Sequence, residues 1–354
     1  MRNYKTKYFD TASTTRVDPR VLEEMLPYFT DFYGNASSNH AYGLRAKKAI
    51  DKARIQVSNI INCESKDLTF TSGATESINL GIKGYVEANT DKGNHIITVK
   101  TEHKAVLSTC EYLETKGYEV TYLDVDENGL ISLKELSNSI NNNTLLIAVM
   151  YVNNEIGVIQ PIQEIGRIAR DCKITFFCDA TQAVGKITVD VERDYIDMLC
   201  FSAHKLNGPK GVGVLFKRSD VELTPLIHGG GQEKGLRGGT YNTPLIVGLG
   251  KACELAIQEF TENIEILNKK KEEVIANYEC NSVGKENFKY VKKAPHIISI
   301  TLNDFEAEEY LMINSKEFIA STGSACNVEV IEVSHVLKAT GIENNNKVIR
   351  ISIS

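Results

Sequence analysis

Several things are missing from this sequence, and each absence closes off a class of function. No apolar run approaches the roughly 18 residues that a membrane helix needs. The opening "MRNYKTKYFD" has no apolar stretch of signal-peptide length, so neither a membrane nor a secreted protein is expected. None of the eight cysteines forms a CxxC pair or falls at a regular spacing, which argues against a disulfide framework and a structural metal site. Nor is there a Lys/Arg cluster. With a formal net charge of −6, direct binding of DNA or RNA is not the expected function. A cytoplasmic chain with reduced thiols and a small-molecule substrate is left.

What is present is alternation. Between about Asp67 and Lys217, short β-branched runs ("LTFTS", "HIITV", "EVTYL", "LLIAVMYV", "ITFFCD", "DMLCFS", "GVLF") take turns with helical ones such as "ESINLGIKGYVEA" and "QEIGRIARDC". That pattern is α/β with a mostly parallel sheet. Ahead of it, "VDPRVLEEMLPYF" begins a helix with Asp18 as N-cap and Pro19 in its first turn. "LRAKKAIDKARIQVSNII" is a second helix, and a long charged stretch from about Asn242 through "EEVIANY" reads as one connecting helix. Beyond it "HIISITL", "EAEEYLM", "EFIAST" and "KVIRISI" suggest a smaller C-terminal α/β domain. At 354 residues two domains are expected.

Two motif matches do not survive their context. Residues 124–135, "DVDENGLISLKE", fit a calcium loop letter by letter, but "YEVTYL" before them is a β-type run where an EF-hand needs a helix. A strand, a tight turn and a helix explain the same residues. "HGGGQEKGLRGG" lacks the spacing of a nucleotide-binding P-loop and the strand that should precede one.

The cysteines divide into two kinds. Cys63, Cys110, Cys172, Cys200 and Cys253 lie in apolar periodic runs and read as small buried hydrophobes. Cys326 sits in "STGSACN", a run of small and polar residues that can bury little apolar area, so its thiol is expected on an accessible, mobile loop.

Chemistry gathers at the predicted strand ends, which in a parallel sheet face the ligand crevice. "CFSAHKLNGPKG" puts Ser202, His204 and Lys205 there, and "ITFFCDATQ" puts Asp179 there with Gln182 close behind. "FTSGATES" ends a strand and opens a helix at Gly73, Ala74 and Thr75, where free backbone N–H groups suit a phosphate. His103 follows "HIITV". A lysine, a carboxylate, an imidazole and a phosphate-binding helix start are the parts needed to hold pyridoxal 5'-phosphate (PLP).

The stretches "FTSGATESINLGIKG", "TEHKAVL", "YVNNEIGVIQPI", "DATQAVGK", "SAHKLNGPKGVG", "GGGQEKGLRGGTYN" and "STGSAC" resemble, in order, those of cysteine desulfurases of the NifS/IscS type, within the fold-type I PLP enzymes. The resemblance covers nearly the whole chain. It implies a fold-type I PLP-dependent transferase with a large domain over 15–257 and a small domain from 1–14 and 258–354. It also implies that Lys205 carries the cofactor, that Asp179 pairs with the pyridine nitrogen, and that His103 stacks on the ring and moves protons. Gln182 and Asn154 would meet the phenolic oxygen and the substrate. Ala74, Thr75, Ser202 and His204 would hold the phosphate, with Thr240 of "RGGT" reaching the phosphate of a partner subunit in a homodimer. Arg350 would clamp the carboxylate of L-cysteine in two-pronged geometry. Cys326 would take the sulfur as a persulfide, leave alanine as the other product, and hand the sulfur to an acceptor protein of iron–sulfur assembly, tRNA thiolation or DNA phosphorothioation. A selenocysteine lyase or another aminotransferase-fold enzyme would share the PLP residues. The chain reads "FDTASTT" where the family commonly has "LDNAATT", so Thr11 and Ser13 stand at the differing places.

Overall fold

The computed structural model describes residues 6–322 and 334–354. Cys326 lies outside them. The chain starts in a two-residue strand, β1 (Lys7–Tyr8), and then enters α1 (Pro19–Met25), α2 (Pro27–Thr30) and α3 (Ala41–Ile61). As expected, the Asp18 side chain caps α1 by accepting from the amide of Arg20, with Pro19 in the first turn. α3 stops where Asn62 turns left-handed at φ 56°.

The alternating region follows as β2 (Leu68–Thr71), α4 (Ala74–Ala88), β3 (His95–Val99), α5 (Lys104–Glu114), β4 (Glu119–Leu123), α6 (Leu133–Ser139), β5 (Thr144–Ala148), α7 (Ile162–Asp171), β6 (Thr175–Asp179), β7 (Met198–Ser202) and β8 (Gly213–Lys217). Its seven strands form one sheet in the order β2-β8-β7-β6-β5-β3-β4. The run from β4 to β7 is parallel throughout, while β8 is antiparallel to both of its neighbours. β2 therefore points the same way as β7, and β2, β3, β5, β6 and β7 all end on one side. Every residue of β2, β3, β5 and β7 is buried, as expected of strands covered on both faces. One apolar cluster packs on each face, around Phe176 and Phe201 on one and Phe177 and Leu146 on the other.

After the sheet come α8 (Thr243–Gln258), α9 (Phe260–Cys280), β9 (Gly284–Glu286), β10 (Ile297–Leu302), α10 (Ala307–Ile313), β11 (Phe318–Ile319), α11 (His335–Ala339) and β12 (Val348–Ser352). β12, β10 and β9 make a three-stranded antiparallel sheet with its own core of Ile298, Ile300, Ile349 and Ile351. Residues Asp10 and Ser321 each bridge to β12, so the N-terminal segment and the approach to residue 323 both meet the strand that carries Arg350.

Three expectations need correction. The connector is two helices, broken at Glu259, whose backbone leaves the helical region at φ −102° and ψ 9°. The strand expected over "LLIAVMYV" ends at Ala148, although Val149 and Tyr151 still donate to the carbonyls of Phe177 and Asp179 alongside β6. Cys172 is exposed and Cys63 half-buried, whereas Cys110, Cys200 and Cys253 are buried as expected. Ala169 is buried three residues earlier on the same face of α7, but the helix ends at Asp171, so Cys172 falls at its capped C-terminal end.

The 124–135 segment is a strand end, turn and helix. Asp126 accepts from the amides of Asn128 and Leu130, Ser132 caps α6, and Asp124 pairs with Lys100. Among the described residues no group of three or more His, Cys, Asp and Glu side chains is placed to hold a metal ion, and no helix is long and apolar enough to cross a membrane.

Candidate active site

Because five strands end on one side, the residues that follow them converge. β2 delivers Gly73, Ala74 and Thr75, β3 delivers His103, β5 delivers Met150 and Asn154, β6 delivers Asp179 and Gln182, and β7 delivers Ser202, His204 and Lys205. All of them line one cavity of about 600 Å³, joined by Arg350 from β12. Ten of the twelve residues singled out in the sequence meet here: Ala74, Thr75, His103, Asn154, Asp179, Gln182, Ser202, His204, Lys205 and Arg350.

Several of them are held by specific contacts. Lys205 Nζ donates to the carbonyls of Ala12 and Ser13, at 2.5 and 2.8 Å. Asp179, buried at the end of β6, accepts from the amide of Thr181 at 2.9 Å and from the Cys200 thiol at 3.7 Å. Gln182 donates to the carbonyl of Ala12, and its Oε1 lies 3.2 Å from Nε2 of His296. Burial drives His296 well below its ordinary pKa, with Lys186, Lys205 and Arg350 adding to the shift. A neutral His296 that donates to Oε1 fixes which way the Gln182 amide faces.

His103 caps α5, its Nδ1 accepting from the amide of Ala105 at 3.1 Å. A neutral ring used this way carries its proton on Nε2. Burial lowers its pKa, and Lys205 lowers it further against the opposing pull of Asp179, so the neutral form is favoured. His204, hydrogen-bonded to Thr14 Oγ1 at 3.1 Å, is pushed down to about 4 by burial and by Lys205 and Lys210. It too is neutral at physiological pH.

The start of α4 has no side-chain cap, so its first-turn amides keep their donor capacity beside Ser202 and His204. β8 presses close behind them: a Cβ on Gly213 would lie 2.7 Å from the backbone of Gly73, and only glycine permits that approach.

Thr240 is elsewhere. It lines a neighbouring pocket with Arg237 and Gln232, which shares only Ser72 and Gly211 with the main cavity. Cys326, the twelfth residue, is outside the described residues.

The sequence reading missed the segment Asp10–Thr14, which supplies contacts to Lys205, Gln182, His204 and Arg350. It also missed Glu102, the buried neighbour of His103 in sequence, whose Oε1 accepts from the amide of Met150 while Oε2 has no partner among the described residues. Burial raises its pKa far above the carboxylate range, with Asp179 adding to the shift, so it is held as the neutral acid. "TEHKAVL" shows a glutamate there but carries no mark that it turns inward.

The family model for class-V aminotransferases matches residues 7–354. The chain belongs to that family. Among curated relatives, the cysteine desulfurase IscS of Neisseria meningitidis is 48% identical over 337 residues, 94% of this chain and 83% of that protein. Among solved structures, a NifS-like protein superposes with a TM-score of 0.91 at 37% identity, covering 98% of this chain and 93% of its own. A structure described as SspA in complex with cysteine gives 0.86 at 39% identity, covering 98% and 99%. Class-V aminotransferases of the desulfurase group depend on PLP. The cavity suits that cofactor: an uncapped helix start for a phosphate, a buried carboxylate for a ring nitrogen and a lysine amine for an aldehyde surround one space.

Proposed function

We propose that this chain removes sulfur from L-cysteine, releases L-alanine, and carries the sulfur on Cys326 as a persulfide for a protein acceptor. The observation that supports it most is the convergence of Lys205, Asp179, His103 and Arg350 on one cavity, in a chain 48% identical to a cysteine desulfurase. Bound PLP would supply an electron sink that accepts the pair released when a bond to the substrate breaks.

The rest is done by the chain. Lys205 would attach the cofactor through its amine and, once displaced by the substrate amine, stand ready at Nζ to move the α-proton. Asp179 would keep a proton on the ring nitrogen, and the α4 amides with Ser202 and His204 would hold the phosphate. His103 presents the proton on Nε2 to the same space. Arg350 would orient the substrate carboxylate. The thiolate of Cys326 then attacks the substrate Sγ, an S–S bond forms as the Cβ–Sγ bond breaks, and a proton completes the methyl group of alanine. One thiol and one cysteine become one persulfide and one alanine.

Among the described residues Cys172 and Cys280 are exposed. Cys172 ends α7 just before β6 begins, at the opposite end of the strand from Asp179, so it lies on the wrong side of the sheet. Cys326 follows Thr322 by four residues, a reach of roughly 14 Å at full extension. Ser321 exchanges backbone hydrogen bonds with Arg350 itself, which ties the start of that reach to the cavity.

A first-turnover experiment tests the reaction. Protein mixed with one equivalent of L-cysteine and no reductant should yield alanine and protein-bound sulfane sulfur in equal amounts, the latter recovered on the peptide containing Cys326. Alanine without bound sulfur, or pyruvate in place of alanine, would remove the proposal. The same preparation, loaded with sulfur, is the bait for an acceptor from iron–sulfur assembly, tRNA thiolation or DNA phosphorothioation.

The proposal includes a homodimer and a division into a large unit, 15–257, and a small one, 1–14 with 258–354. The position of Thr240, outside the cavity of its own chain but on a pocket that adjoins it, supports a role at a second copy's phosphate. Sedimentation should give a dimer, and Thr240→Ala should weaken cofactor retention severalfold. A monomer that retains full cofactor sinks this part.

A further inference from the structure

Arg350 is buried, and two of its three nitrogens are held in the cavity wall. Nη1 donates to the carbonyl of Asn154 at 3.0 Å. Nη2 donates to Oδ1 of Asp10 and to Oγ of Ser13, both at 2.8 Å. The Ser13 hydroxyl in turn donates to Oδ1 of Asp10 at 2.9 Å. Both protons of Nη2 are therefore used, and the donors unshared among the described residues are Nε, which is buried, and the second proton of Nη1.

We propose that Ser13 is a positioning residue for the substrate carboxylate, its hydroxyl setting how Arg350 divides between Asp10 and the substrate. This rests on the reading of Arg350 as the carboxylate site. Asp10 is an anion at 2.8 Å from the same guanidinium, and it competes directly with an incoming carboxylate. By donating to Oδ1, Ser13 takes up part of that charge. By accepting from Nη2, it fixes the rotation of the guanidinium and keeps the unshared donors aimed away from Asp10. Its own place is set twice: its amide donates to the carbonyl of Asp10, and its carbonyl accepts from Lys205. With alanine there, as in the common family stretch "LDNAATT", Asp10 loses a donor and Nη2 an acceptor. Both losses are made good only by a closer Asp10–Arg350 pair, at the substrate's expense.

The test compares L-cysteine with cysteamine, which has the same amine and thiol but no carboxylate. Both are titrated into the holoenzyme carrying Cys326→Ser, so that turnover does not interfere, and binding is followed by the change in cofactor absorbance. Adding Ser13→Ala should weaken L-cysteine about five- to tenfold, the scale of one lost hydrogen bond of ordinary strength. Cysteamine should be unaffected, and Ser13→Thr, which keeps the hydroxyl, should restore the cysteine affinity.

An equal loss for both ligands, no loss, or tighter cysteine binding overturns the proposal, the last by showing that the hydroxyl competes with the substrate. So does a Ser13→Ala protein that folds but no longer retains cofactor, because the residue then serves Lys205. Arg350→Ala in parallel separates the two readings. If it leaves the advantage of cysteine over cysteamine intact, the carboxylate site is misplaced and both fall. If it abolishes that advantage while Ser13→Ala has no effect, only the Ser13 inference falls.

Discussion

Cys326→Ser should keep the fold, the bound cofactor's colour and the absorbance change on adding L-cysteine, yet lose alanine and persulfide formation on the order of 10³-fold or more, as when other enzymes lose a nucleophile. The separation follows from where the contacts are. The hydrogen bonds given above for Lys205, Asp179, Gln182 and Arg350 are all made to other described residues. Binding should survive. Sulfur removal needs a soft nucleophile that is ionised near neutral pH, and a serine hydroxyl is neither.

Four of the other thiols cannot substitute. Burial pushes Cys63 and Cys110 up to about 12, and it drives Cys178 and Cys200 well above the ordinary thiol range with Asp179 adding to the shift. These sulfurs remain protonated and packed. The assay measures alanine and sulfide from L-cysteine in both proteins, with L-selenocysteine in parallel. Selenium leaves more readily and need not wait for a thiol, so activity that persists only on selenocysteine still agrees with the proposed role. Undiminished alanine from L-cysteine in Cys326→Ser would take the sulfur-acceptor role away from this residue.

What the sequence revealed of the site depended on which atoms do the holding. Lys205, Asp179 and His103 were legible because each follows an apolar run that could only be a buried strand, and parallel strands bring such ends together. The segment 10–14 was not, because much of its work is done by main-chain oxygens: the carbonyls of Ala12 and Ser13 receive Lys205, and the carbonyl of Ala12 also receives Gln182. Any residue has a carbonyl, so the letters carry no signal. Ser13 did show itself as a departure from a common stretch, but its meaning needed the position of Arg350, 337 residues away.

The errors in the fold have the same origin. The break at Glu259 has no glycine or proline to announce it, and helical periodicity runs through it undisturbed. Cys172 continues the buried face of α7 in register, and only the end of the helix one residue earlier exposes it. In both cases tertiary packing ended an element that local pattern would have extended.

Borohydride treatment of the purified protein should fix a pyridoxyl group on Lys205 alone, and Lys205→Ala should abolish both the label and the reaction. Among the described residues two lysines line the cavity, Lys205 and Lys210. Lys210 is exposed at the rim, in the loop after β7. Lys205 is half-buried, follows β7 directly, and has its amine fixed by the Ala12 and Ser13 carbonyls, in the wall that also holds Asp179 and His103. Both of those acceptors are neutral main-chain oxygens. The amine can therefore exchange them for a covalent partner. Removing it takes away the attachment point and the group placed to move the α-proton, and loss of a positioned acid–base group alone costs roughly 10²- to 10⁴-fold. PLP added to Lys205→Ala should still bind, through the α4 amides, Ser202, His204 and Asp179, but it should dialyse away and take no label on reduction. Peptide mapping decides the outcome: a pyridoxyl group on Lys210 in the native protein, or desulfuration that survives in Lys205→Ala, would show that the strand-end reading chose the wrong amine.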